Sequence, residues 1–264
     1  MSLATVGERL VHYEALGRGQ PVVFLHGWAG SWRYWLQTMQ ALSHRFRVYA
    51  VDLLGFGDSA RLRKETGLAY RLEAHVEIVR GWMDALGLAR AHFIGHTLGA
   101  MVAVRLSLEA PERVDRILTV GYPVSLEAPR AVPTAGLRQA LAAHLLRLAQ
   151  DYPEVRLEHQ RADPEAVGAC LEEALRRREE LLDWLRRVDV PLLLVYGGRD
   201  PLTPPPLFLN GRLDTHLRLL VLEKGQHFPM LDLPAPFQRL AEEFLTRPDP
   251  TGIALKEEWQ RRFR

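Results

Sequence analysis

The segment that most restricts what this chain can fold into is Gly95-His96-Thr97-Leu98-Gly99. It follows a short apolar run, Ala91-His92-Phe93-Ile94, that reads as a buried strand. It precedes LGAMVAVRLSLEA, whose apolar residues keep helical spacing until Pro111. A strand that passes into a helix this quickly needs a turn so sharp that its central residue is strained, with small neighbours letting strand and helix approach. Such a turn pushes the central side-chain oxygen outward. Threonine adds a methyl, and a β-branched residue at positive φ must be held there by its surroundings. Thr97 is therefore a presented hydroxyl, and a crowded one.

The rest of the chain repeats the strand-then-helix theme. Pro21 to Leu25, Arg47 to Val51, His92 to Ile94, Val114 to Val120 and Pro191 to Tyr196 are short apolar runs separated by amphipathic stretches. Glu8 to Tyr13 and Leu217 to Leu222 add an earlier and a last strand. This alternation predicts an α/β fold with a mostly parallel sheet covered by helices on both faces. From Gly121 to Pro191 the pattern turns helical, with helices expected over Gly136 to Gln150 and Pro164 to Arg187. In the second of these, Val167, Leu171, Leu175, Leu182 and Leu185 form one apolar stripe. No linker divides the 264 residues, so the expectation is one core, 1–124 and 189–264, carrying a helical cap insertion over 125–188.

Composition excludes several function classes. With 47% hydrophobic and 25% charged residues the chain matches ordinary globular proteins. No basic leader with an apolar run opens it, and no segment nears the roughly 18 to 20 apolar residues that span a bilayer, so a cytoplasmic protein with no membrane span is expected. Net charge is +2, and basic and acidic residues alternate in RRREELLDWLRR, which argues against a nucleic-acid partner. One cysteine, Cys170, allows no internal disulfide. No H-E-x-x-H, cysteine pair or strand-to-helix G-x-G-x-x-G occurs, so neither metal nor cofactor is expected. In the tail after Pro250, Leu255, Trp259 and Phe263 share a helical face, which leaves docking on the core, a homodimer contact and a membrane surface open.

Four separated segments make a more specific pattern. They are His26-Gly27-Trp28-Ala29-Gly30-Ser31 after the third strand, Asp52-Leu53-Leu54-Gly55-Phe56-Gly57-Asp58-Ser59 after the fourth, the 95–99 turn, and the pair Gly198-Arg199-Asp200 and Gly225-Gln226-His227. Together, from about Val22 to Leu245, they resemble the α/β-hydrolase family in its esterase and carbon-carbon hydrolase branch. The resemblance implies a triad of Thr97, Asp200 and His227, in the family's chain order of hydroxyl, acid and histidine. It assigns the oxyanion donors to the backbone N–H groups of Trp28 and Leu98, and makes His26 and His96 packing or loop-fixing residues beside the site. The pocket is expected to involve His26, Trp32, His96, Tyr122 and Phe228, an inventory suited to an uncharged, moderately hydrophobic small molecule. Threonine in the turn departs from the family's serine. It also separates the chain from the aspartate-armed dehalogenase and epoxide hydrolase branches.

A hydroxyl is a poor nucleophile until an imidazole takes its proton, which is the role the resemblance gives His227; Asp200 would fix the tautomer. Three uses of such a site stand at this point. The first is hydrolysis of a small carboxylic ester with Thr97 attacking. The second is ligand binding without turnover, because the hindered hydroxyl cannot reach attack geometry. The third is acid–base catalysis by His227 and Asp200 with no covalent intermediate.

Overall fold

The computed structural model describes residues 2–28, 30–59, 70–126, 136–209, 217–249 and 252–254. The tail residues Leu255, Trp259 and Phe263 lie outside them.

The seven apolar runs become strands, and with one more the described residues hold eight: β1 (Ser2–Val6), β2 (Arg9–Gly17), β3 (Gln20–Leu25), β4 (Phe46–Val51), β5 (Ala91–His96), β6 (Val114–Val120), β7 (Leu192–Gly197) and β8 (Leu217–Leu222). They form one sheet in the order β1-β2-β4-β3-β5-β6-β7-β8. The β1–β2 and β2–β4 pairings are antiparallel and all others parallel. Every residue of β5 and β7 is buried, as a strand covered on both faces requires, whereas the middle of the edge strand β8 is half-buried. β1 is an addition to the sequence reading. It is a short, half-exposed strand with too little apolar periodicity to stand out, and it is fixed by pairing with β2.

Two helical layers cover the sheet. On one face α1 (Leu36–Leu42) packs beside α8 (Pro234–Thr246). On the other, α2 (Leu72–Ala85) and α3 (Leu98–Glu109) pack together. Between β6 and β7 run α4 (Leu137–Leu148), α5 (Pro153–Arg161), α6 (Pro164–Arg176) and α7 (Arg178–Arg187). The expected single helix over Pro164 to Arg187 is thus two, broken at Arg177 (φ −92°, ψ 11°). The break lets α6 pack on α4 while α7 turns back onto α3, burying Leu181, Trp184 and Leu185. Asp163 starts α6 by accepting from the Glu165 N–H at 2.9 Å, with Pro164 at the first helical position.

Side-chain clips hold these helices over the loops that leave the C-terminal ends of the strands. Arg33 pairs with Glu158 of α5 at 3.3 Å. The Asp163 N–H donates to the Gly55 carbonyl at 2.8 Å, and Tyr70 Oη donates to the Asp163 carboxylate at 2.6 Å. Tyr152, just before α5, donates to Asp232 at 2.5 Å, and the same carboxylate accepts from the Gln226 N–H at 2.6 Å. No helix among the described residues is long and apolar enough to cross a membrane.

Candidate active site

The turn between β5 and α3 has the strain its sequence implies. Thr97 sits at φ 43°, ψ −99°, and among the described residues no other non-glycine residue has a positive φ. Such a residue costs roughly 1 to 3 kcal/mol and persists only where its surroundings over-determine it. Here its N–H donates to the Val120 carbonyl at 2.9 Å, its carbonyl accepts from the Met101 N–H at 3.0 Å, and the neighbouring Gly99 N–H donates to the His26 carbonyl at 3.0 Å. Glycine at 95 and 99 is a steric need, since a Cβ on Gly99 would collide with the Leu25 backbone and one on Gly95 with Gly99 and Ala100.

Two further glycines show where the branches of Thr97 point. A Cβ on Gly27 would collide with Thr97 Oγ1, so the hydroxyl lies against the loop after β3. A Cβ on Gly121 would collide with Thr203 Oγ1 and stand 3.5 Å from Thr97 Cγ2 and 3.8 Å from Asp200 Oδ2, so the methyl lies on the side of Gly121 and the acid.

Asp200 follows β7 in a turn that saturates its carboxylate. Oδ1 accepts from the N–H groups of Leu202 (2.8 Å) and Thr203 (3.0 Å), and Oδ2 from Thr203 Oγ1 (2.6 Å). His227, on the loop after β8, places Nδ1 2.9 Å from Oδ2. Burial alone would raise the Asp200 pKa, but His227 and the Thr203 hydrogen bonds outweigh it and hold the carboxyl well below the ordinary range. An ionised carboxylate only accepts, so Nδ1 of His227 carries a proton toward it, and Nε2 is the ring nitrogen turned away from the acid. That Nε2 and Thr97 Oγ1 are both buried without a hydrogen-bond partner among the described residues, so the two are not bonded to each other.

The other expected residues fall as follows. Trp28 is buried in the loop after β3; Leu98 opens α3, where N–H groups lack intrahelical acceptors. His26 accepts from the Leu53 N–H at Nε2 (2.9 Å) and donates from Nδ1 to the Gly27 carbonyl (2.8 Å), which ties the loops after β3 and β4 together. Burial lowers its pKa. His96 and Phe228 pack around His227, with ring centroids 4.9 Å from it in each case. Tyr122 is buried and donates to the Leu181 carbonyl at 3.2 Å. Trp32 lies beside His12, at a centroid distance of 6.2 Å, with the Arg33 guanidinium over its ring. Sequence reasoning did not single out Thr203 as Asp200's partner, although a hydroxyl three residues after a turn aspartate is a readable signal. Tyr34 is a second addition, its hydroxyl making two polar contacts, with the Gly27 N–H and His96 Nδ1.

A second polar cluster lies apart from this one. His12, Asp52 and Asp58 bring ligand-type atoms within 4.8 Å of one another. Those atoms are already engaged: His12 Nδ1 with Asp52 at 2.8 Å, His12 Nε2 with Glu14 at 3.3 Å, and Asp58 with Arg33 at 2.9 Å.

Residues 20–155 match the α/β hydrolase fold family. The chain is 32% identical over 260 residues to the pimeloyl-[acyl-carrier protein] methyl ester esterase of Aeromonas hydrophila, covering 89% of this chain and 99% of the relative. Among solved structures it is similar to an enol-lactonase from Burkholderia xenovorans LB400 (TM-score 0.79, 23% identity, 93% and 100% covered). It is also similar to a thermophilic esterase from Thermogutta terrifontis (TM-score 0.76, 22% identity, 94% and 98% covered). The eight-stranded order, the strained turn and these matches agree, and the chain is an enzyme of the α/β-hydrolase family.

Proposed function

We propose that this enzyme hydrolyses a small, uncharged, moderately hydrophobic carboxylic ester through Thr97, Asp200 and His227. The observation that carries the reading is the His227 ring: one nitrogen is committed to an ionised Asp200 and the other is held buried and unbonded in the same site as a strained hydroxyl. Similarity to a methyl ester esterase supports an ester as the bond cleaved. In this reading a turn of the Thr97 side chain about χ1 brings Oγ1 to His227 Nε2, which takes its proton as oxygen attacks the ester carbon. The N–H groups of Trp28 and Leu98 receive the developing oxyanion; losing one such donor costs about 2.7 to 4 kcal/mol. His227 returns its proton to the leaving alcohol, and a water activated by the same ring releases the acid. The segment 125–188 acts as the cap, with α7 as its return onto the core.

The test is p-nitrophenyl acetate and butyrate hydrolysis, with burst detection, by the wild type, Thr97→Ser, Thr97→Ala and His227→Ala. A wild-type burst that both alanine variants lack is expected. Thr97→Ser should be faster by about 5- to 150-fold, the value of roughly 1 to 3 kcal/mol of crowding from the methyl. Turnover appearing only in Thr97→Ser would sink the reading. A second reading, acid–base catalysis by His227 and Asp200 without a covalent intermediate, is favoured by the missing bond between Thr97 Oγ1 and His227 Nε2. It predicts activity that survives Thr97→Ala and is lost in His227→Ala.

A further inference from the structure

The proposed oxyanion donor Trp28 and the proposed base His227 stand on different loops, one after β3 and the other after β8. A buried chain of hydrogen bonds joins those loops. The N–H of Gly27, next to Trp28, donates to Tyr34 Oη at 2.5 Å; Tyr34 Oη lies 3.1 Å from His96 Nδ1; His96 Nε2 lies 3.0 Å from the His227 carbonyl oxygen. A carbonyl can only accept, so His96 carries its proton on Nε2. Its Nδ1 is then an acceptor, and the Tyr34 hydroxyl must donate to it while receiving from Gly27. Every link thus runs in one direction, with each member satisfied. Tyr34 and His96 are 3% and 1% exposed, so no solvent competes for these bonds. Burial, with the neighbouring His227, holds the His96 pKa well below the usual histidine range and keeps the ring neutral, as the chain requires. Both rings also pack on Phe228, at centroid distances of 6.1 and 5.2 Å.

We propose that Tyr34 and His96 are positioning residues whose relay fixes the spacing between the oxyanion-donor loop and the base loop. The proposal rests on the reading of Thr97, Asp200 and His227 given above. Its physical content is geometric: the donors must meet an oxygen that exists only in the transition state, while the imidazole must meet the attacking hydroxyl at the same moment. The relay joins those two requirements through hydrogen bonds, with neither Tyr34 nor His96 taking the proton of the attacking hydroxyl.

The experiment compares wild type, Tyr34→Phe, His96→Phe, His96→Gln and the Tyr34→Phe/His96→Phe double variant on p-nitrophenyl butyrate, per folded molecule. Tyr34→Phe removes both contacts of the hydroxyl; His96→Phe keeps a ring without nitrogens; glutamine offers an N–H donor and an oxygen acceptor in place of the two ring nitrogens. The expected result is a kcat loss of about 10- to 100-fold in Tyr34→Phe and His96→Phe with KM nearly unchanged, the size a displacement of about 1 Å produces. Recovery of most of that loss in His96→Gln is expected, as is a double variant no worse than the worse single one. Wild-type kcat in both Tyr34→Phe and His96→Phe would overturn the relay and leave the triad standing. Wild-type enzyme whose turnover ignores His227→Ala would remove the triad and the relay's role together. Independently of activity, ¹⁵N resonances of the wild-type histidines should show neutral His96 protonated at Nε2, and a proton on Nδ1 instead would overturn the chain even if a variant failed to fold.

Discussion

Two buried histidine–aspartate pairs sit in this molecule with nearly the same geometry, His227–Asp200 at 2.9 Å and His12–Asp52 at 2.8 Å. In both, the ring nitrogen that meets the carboxylate is Nδ1. The far nitrogen separates them. His12 Nε2 is spent on Glu14, and Asp52 also receives the N–H groups of Trp32 and Asp58 at 2.8 and 2.9 Å, so every polar atom is tied to the loops around it. His227 Nε2 is left without a partner in a buried site. A carboxylate that orients an imidazole is therefore not by itself a sign of catalysis. What sets the proposed base apart is that its far nitrogen has no hydrogen-bond partner among the described residues.

The sharpest way to break the comparison is to make the same substitution in each pair. Asp200→Asn should lower kcat on p-nitrophenyl butyrate by about 10⁴-fold by favouring the wrong tautomer of His227. Asp52→Asn should leave kcat per folded molecule within a few-fold. Its effect should appear in urea unfolding below about pH 6.5, where His12 is charged, as a loss of about 3 to 5 kcal/mol, the usual cost of breaking a buried ion pair. Equal kcat losses in the two variants would mean that the free nitrogen is not what distinguishes the pairs.

A third kind of histidine sharpens the contrast, since His92 is buried with neither ring nitrogen bonded among the described residues. Burial is the main force pushing its pKa down to about 4. The unfolded chain therefore binds a proton between its ordinary value near 6.5 and 4 that the native state refuses. The stability tied to His92 is complete above about pH 6.5 and is lost as pH falls toward 4, on the order of 3 kcal/mol in all. His92→Leu should flatten that stretch of the Tm-against-pH curve, and an unchanged slope would contradict the assignment. For His12 burial also lowers the pKa, but the hydrogen bond and charge of Asp52 win and raise it. Its sign is opposite: the contribution is complete below about pH 6.5 and fades as pH rises through the raised value. His12→Gln should accordingly cost more stability at pH 6 than at pH 8, and this is the smallest of the expected effects.

Much of this was legible in residues that carry a local rule. The 95–99 turn announced its strain, because only a strand–turn–helix junction needs small residues on both sides of a hydroxyl. The β-α alternation announced the sheet. What stayed hidden depended on long-range meeting. Tyr34 and His96 are 62 positions apart, and nothing in either neighbourhood says that one phenol will reach that ring. His12 and Asp52 are 40 apart, on a strand and at a strand end that become neighbours only when β2 pairs with β4. The break at Arg177 was hidden for another reason: the apolar stripe runs through it, and the change of direction is set by α7 packing on α3 rather than by a helix-stopping residue.

Thr97 has a consequence for how the chain could have been shaped. Its backbone conformation is one that glycine adopts freely and a β-branched residue resists, so Thr97→Gly would relieve strain of roughly 1 to 3 kcal/mol in the folded state. Selection for folding alone would favour that change, or any loop that avoids the kink. Under the proposed reading, the hydroxyl is what a less comfortable residue at the tightest bend offers in exchange for that strain.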